Sequence, residues 1–73
     1  MILSDIKARQ LAEDYLSRQD LKGFRYEFVM IKHNEQRPDV LGVVFNVFTS
    51  EGSIIDGPAI FLVDKETKEV TVL

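Results

Sequence analysis

Apolar residues near the start of the chain recur at Ile6, Ala8, Leu11, Ala12, Tyr15 and Leu16. Most of these spacings are three or four residues, the period of one helical face. Ser4 stands where an N-cap is needed, and Asp5 behind it suits the positive end of a helix dipole. Lys7, Arg9, Gln10, Glu13, Asp14, Ser17 and Arg18 lie mostly off the apolar stripe. The pattern predicts a helix that fades around Asp20, with Gly23 as the glycine that ends the segment.

From Phe24 the period becomes two. Phe24, Tyr26, Phe28 and Met30 alternate with Arg25, Glu27, Val29 and Ile31, which predicts a strand with the first set on one face. The polar stretch from His33 to Asp39 holds Pro38 and reads as a loop. Val40 to Thr49 is rich in β-branched and aromatic residues and predicts a second strand. Gly42 inside it suggests a bulge or a close contact. Ser50 to Ser53 is a short connection, Ala59 to Val63 a further strand, and Glu69 to Leu73 the last. The expected fold is α+β: one N-terminal helix packed on an antiparallel meander sheet of three or four strands.

That fold leaves a mismatch of widths. Four strands span roughly 19 Å at about 4.8 Å each, whereas a helix covers a band of about 10–12 Å. Apolar residues fall on both faces: Leu41, Val43, Phe45 and Val47 alternate with Val40, Val44 and Phe48, and Phe61 and Val63 with Ile60 and Leu62. One helix cannot cover all of them. The expectation is a face or edge buried in a homodimer or against a partner protein, set against shielding by strand twist and long polar side chains.

The chain has 73 residues, so a single domain with a thin stability margin is expected over residues 1–73. Cysteine is absent, which removes disulfides, thiol catalysis and thiolate metal sites, and favours a reducing, cytoplasmic setting. No apolar run approaches the ~20 residues of a membrane span. The start, MILSDIKARQ, lacks the basic head and apolar core of a signal peptide. Net charge is -3, with 9 basic and 12 acidic residues and no basic stripe, so nucleic acid is not an expected partner.

Candidate chemistry is sparse. His33 is the single histidine, and its neighbours Asn34 and Glu35 do not form a catalytic arrangement with it. Asp64, Glu66 and Glu69 cluster near the last turn. A calcium loop of the EF-hand type needs a central glycine and a distal bidentate glutamate, whereas here Lys65 and Lys68 intrude. Ser4, Ser17, Ser50 and Ser53 are explained by capping, a polar helix face and turns, and Gly57-Pro58 is no phosphate loop. Phe24, Tyr26 and Phe28 have no basic residues placed around them for base stacking. The expectation is a non-enzyme with no metal and no cofactor.

The segments ARQLAEDYL and DGPAIFLVDKETKEV, in that order around the hydrophobic strands, resemble the immunity protein 35 family (YrhB-like domains) of bacterial polymorphic toxin systems. The likeness is centred on the C-terminal half and extends over most of the chain. It implies a small cytoplasmic α+β protein that neutralises a toxin by binding it. Lys68 departs from the family pattern, which has glycine at the end of the turn. There a left-handed residue is common and a lysine costs on the order of 1 kcal/mol. The tryptophan frequent in such strands is also absent. Candidate contacts to a basic toxin surface are Asp56 and the carboxylates Asp64, Glu66 and Glu69. The alternative class is a structural or regulatory α+β domain, homodimeric or not, with no toxin partner. An enzyme would require a site shared across a dimer.

Overall fold

The computed structural model describes residues 3–73; the first two residues of the MILSDIKARQ stretch lie outside it. One helix, α1 (Asp5–Ser17), precedes four strands: β1 (Arg25–His33), β2 (Val40–Phe48), β3 (Ala59–Asp64) and β4 (Val70–Val72). The strands form one antiparallel sheet in the order β1-β2-β3-β4. The fold is thus α+β with four strands in sequence order.

The N-terminus of α1 is fixed in two ways. Ser4 is extended and its Oγ accepts the Lys7 N–H at 3.1 Å, closing one of the donors a helix start leaves open. Leu3, just before the cap, is buried in the same cluster as Ala8, four positions past the cap, the arrangement of a hydrophobic staple. Leu3 therefore takes the anchoring role that the stripe assigned to Ile6, which is 73% exposed. At 100° per residue Ile6 lies well away from the line Ala8–Ala12–Leu16, the three buried positions of α1. The helix ends at Ser17, and Gly23 is not its terminus: Arg18 caps α1. Gly23 (φ +85°) instead closes the following turn after Lys22 (φ +52°). A Cβ on Gly23 would meet the Ser50 Cβ at 3.1 Å.

Ala8 and Ala12 are fully buried, and their small size lets the helix axis come close to the sheet. Beneath them lie Leu41, Val43, Phe45, Phe61 and Val63. The rings of Phe45 and Phe61 meet edge to face with centroids 5.5 Å apart. Tyr26 packs edge-on against both, at 6.3 Å and 6.2 Å, Tyr15 against Phe61 at 5.8 Å, and Phe28 against Phe45 at 6.0 Å. Aromatic pairs prefer this geometry, each adding about 0.5–1.5 kcal/mol beyond area burial.

A bulge in β1 changes which residues share a face. Phe28 pairs with Phe45 but Met30 with Val44, so Val29 is the extra residue. The alternation Phe24–Tyr26–Phe28–Met30 therefore breaks at Val29. Ile31 turns to the helix side and packs against the core, while Met30 turns to the open side, 49% exposed. Gly42 is regular, paired with Lys32 and Leu62; the bulge its presence suggested lies in the neighbouring strand. A bulge bends and twists a strand, and here it sits in an edge strand carrying Arg25, Glu27 and Lys32, features that discourage pairing with another sheet.

Two substitutions separate the observed stripe from the expected one. Ala12→Leu should lose about 1–3 kcal/mol by overpacking. Ile6→Ala should stay within about 0.5 kcal/mol of the parent. Urea unfolding followed by circular dichroism measures both; a costly Ile6→Ala would overturn the assigned face.

Candidate functional site

The β3–β4 connection is built by Asp64. Its Oδ1 accepts the backbone N–H of Glu66 at 2.8 Å and of Thr67 at 2.9 Å. Its carbonyl accepts the Lys68 N–H at 2.9 Å, and its own N–H donates to the Glu69 carbonyl at 2.9 Å. The Thr67 and Glu66 amides hold the Asp64 carboxyl below the usual carboxylate range, since hydrogen bonds to the charged form favour it. The Lys65 N–H reaches the Asp39 carbonyl at 2.9 Å, tying this turn to the loop before β2. There Arg37 Nε and Asp39 Oδ1 lie 3.2 Å apart. The hydrogen bond from Arg37 is the main reason the Asp39 carboxyl is lowered, and the same bond raises the guanidinium.

Lys68 adopts φ +66°. The position where the family pattern has glycine is thus left-handed, and the lysine is accommodated at a conformational cost.

Of the sequence candidates, Asp64, Glu66 and Glu69 share this turn. Asp64 is half-buried and works on the turn itself, while Glu66 and Glu69 are exposed. A shallow depression of about 210 Å³ is lined by Arg37, Val40, Leu62, Asp64, Glu69 and Thr71. Asp56 is not part of this corner. Ile55 donates to the Val47 carbonyl and Ala59 pairs with Phe45, so four steps of chain stand opposite two of β2. The excess is an outward excursion at Asp56-Gly57-Pro58, with Gly57 at φ +88°. It lies at the other end of β3, five residue steps or about 17 Å from the turn. Pro58 stands immediately before β3, where its missing N–H does least harm.

His33 is exposed at the end of β1, and its Nε2 lies 3.3 Å from Asp5 Oδ1 at the start of α1. This helix-to-strand contact was missed because its residues stand 28 apart. Among the described residues no group of three or more His, Cys, Asp or Glu is placed to hold a metal ion. No described helix is long and apolar enough to cross a membrane.

The face of the sheet away from α1 carries a second feature. Met30, Lys32, Val40, Gly42, Val44, Ile60 and Leu62 alternate onto it by register. Val40 and Val44 are nonetheless 7% exposed. Where Gly42 has no side chain, a depression of about 160 Å³ opens, lined by Lys32, Val40, Ile60, Leu62 and Leu73 among others. Shielding by long side chains is real at one corner, where the Arg25 guanidinium stacks 4.7 Å over the Phe48 ring. On the helix side, Arg9 lies 4.1 Å over Phe28. Met30 and Leu73, at 49% and 76% exposure, stay open.

No protein-family model matches the chain, and no curated protein or solved structure matches it.

The turn generates two expectations. Lys68→Gly should be more stable than the parent by about 1 kcal/mol, part of the gain being offset by glycine's freedom in the unfolded chain; a lower melting temperature would contradict this. Asp64 has a depressed folded pKa. Its contribution is therefore full above the unfolded value of about 3.9 and is lost as pH falls through the lower folded value. Asp64→Asn keeps an acceptor for the turn but cannot titrate. It should melt near the parent at pH 7 and lose less on going to pH 2, whereas Asp64→Ala should melt lower at pH 7 as well.

Proposed function

We propose that this chain is a small, non-enzymatic protein-binding domain of the cytoplasm that neutralises a toxin-type partner by direct binding, in the manner of the immunity proteins it resembles. The observation that carries the binding reading is the β3–β4 turn. Asp64 locks the backbone, so that exposed Glu66 and Glu69 are presented from a fixed scaffold. A pre-ordered loop loses little conformational freedom on association. A pair of outward carboxylates matches a basic surface, raising the encounter rate more than the final affinity. Asp56, on its separate excursion, serves as an outlying contact at the far end of the sheet. The toxin as partner rests on the DGPAIFLVDKETKEV likeness rather than on geometry.

The test is functional and then physical. Co-expression of the chain with a multidomain toxin encoded beside its gene should protect cells, and unprotected cells sink the reading. With that toxin purified, Glu66→Lys with Glu69→Lys should weaken binding about tenfold or more, mainly through a slower on-rate that no longer falls as salt is raised. An unchanged on-rate in surface plasmon resonance removes the turn from the interface.

A further inference from the structure

One peptide bond outside the sheet is placed for a chemical change of its own. Asp56 is the single aspartate or asparagine of the chain that glycine follows. The backbone nitrogen after an aspartate can attack the side-chain carboxyl carbon and close a five-membered ring. A side chain on the attacking residue crowds that approach, and glycine has none. The surroundings are open as well, since a Cβ added at Gly57 would meet nothing within 4 Å.

The fold leaves this bond free. Asp56, Gly57 and Pro58 are exposed, and they lie between the contact of Ile55 with Val47 and the pair Ala59 with Phe45. Among the described residues, neither the Gly57 N–H nor the Asp56 carboxylate has a hydrogen-bond partner. The other aspartates and asparagines are held. Asp64 accepts two backbone amides and Asp39 is bonded by Arg37; the bulky residues Lys65 and Val40 follow them. Asp20 and Asn34 each accept a backbone N–H from two residues on. Asp5 and Asp14 sit in the regular backbone of α1, and Asn46 in that of β2.

We propose that Asp56-Gly57 is a site of spontaneous isomerisation, at which the chain converts aspartate to isoaspartate. The Gly57 nitrogen forms a bond to Asp56 Cγ, and one carboxyl oxygen leaves as water with the amide proton. Water then opens the resulting succinimide. Cleavage at the side-chain carbonyl restores aspartate. Cleavage of the original peptide bond leaves the chain running through Cγ, with the former backbone carbonyl as the free carboxylate. Mass and charge are unchanged, and the main chain is one carbon longer. The excursion already holds chain in excess of its partner strand, so it absorbs that carbon without moving β3. Exposed loop tips are where such changes are tolerated.

The change leaves Glu66 and Glu69 untouched, so it stands or falls apart from the toxin-binding reading. The full chain, incubated at pH 7 for several weeks, is digested and read by fragmentation mass spectrometry. Isoaspartate should accumulate at position 56 in most molecules, at unchanged mass and with the far-UV spectrum retained. Carboxyl methylation by an isoaspartyl methyltransferase should rise in parallel. Asp56→Glu keeps the charge but would have to close a six-membered ring, and Gly57→Ala crowds the attacking nitrogen; each should cut the isoaspartate formed at least tenfold. A parent without isoaspartate at position 56 overturns the proposal. So does isoaspartate spread equally over the other aspartates, or methylation that Asp56→Glu does not reduce. Loss of the far-UV spectrum on ageing would overturn the claim that the excursion absorbs the longer chain.

Discussion

The edge-to-face pair of Phe45 and Phe61, 5.5 Å apart at the centre of the sheet, is the contact on which the domain depends. It lies on neighbouring strands, so it exists only when β2 and β3 are in register. It is sealed from water by Ala8 and Ala12 above. Larger residues there would lift the helix and open the rings to solvent. A chain of this size has a total stability of only about 4–11 kcal/mol. The aromatic cluster around this pair, at about 0.5–1.5 kcal/mol per contact beyond burial, is a large share of the margin. Tyr15, Tyr26 and Phe28 extend the same packing outward, and Arg9 closes its edge over Phe28 while bonding Glu13 at 3.2 Å. The helix is narrower than the sheet, and a snorkelling side chain makes up part of the difference.

Much of this was legible in the residues. The Ser4 cap, the change of period at Phe24 and the apolar strand expected over Val40 to Thr49 each follow from local stereochemistry, which a single sequence displays, whereas the left-handed position of Lys68 came from the resemblance. What escaped is non-local. Val29 is the extra residue of a bulge defined only by pairing with β2, and nothing in RYEFVMIKH marks where it falls. The consequence is large, since one inserted residue exchanges the roles of Met30 and Ile31. Ile6 satisfies the helical spacing from either side, and only the position of the sheet shows that Leu3 takes the inner place. The Asp56-Gly57-Pro58 excursion reads equally well as the end of a connection, because the contacts that bracket it, Ile55 with Val47 and Ala59 with Phe45, lie across the hairpin.

The candidate site divides along the same line. The turn residues Asp64, Glu66 and Glu69 were found together because they are contiguous, and their chemistry is one of short-range hydrogen bonds. Asp56 was grouped with them by charge alone, and the fold separates it. The open-face depression could not be found this way. Gly42 was noticed as an anomaly in a strand, but its meaning depends on Ile60, Leu62 and Leu73 arriving from other strands.

The two faces of the sheet therefore differ in kind. On the helix side, every large apolar residue of β2 is covered by an element of the same chain. On the other side, Val40 and Val44 are buried without the helix, next to a gap left by a residue with no side chain. A monomer optimised for its own stability would fill position 42, since a β-branched residue there gains both strand preference and buried area. The two surfaces differ accordingly: a backbone-locked acidic turn stands at one corner, and a sheet face that α1 does not cover lies beneath it.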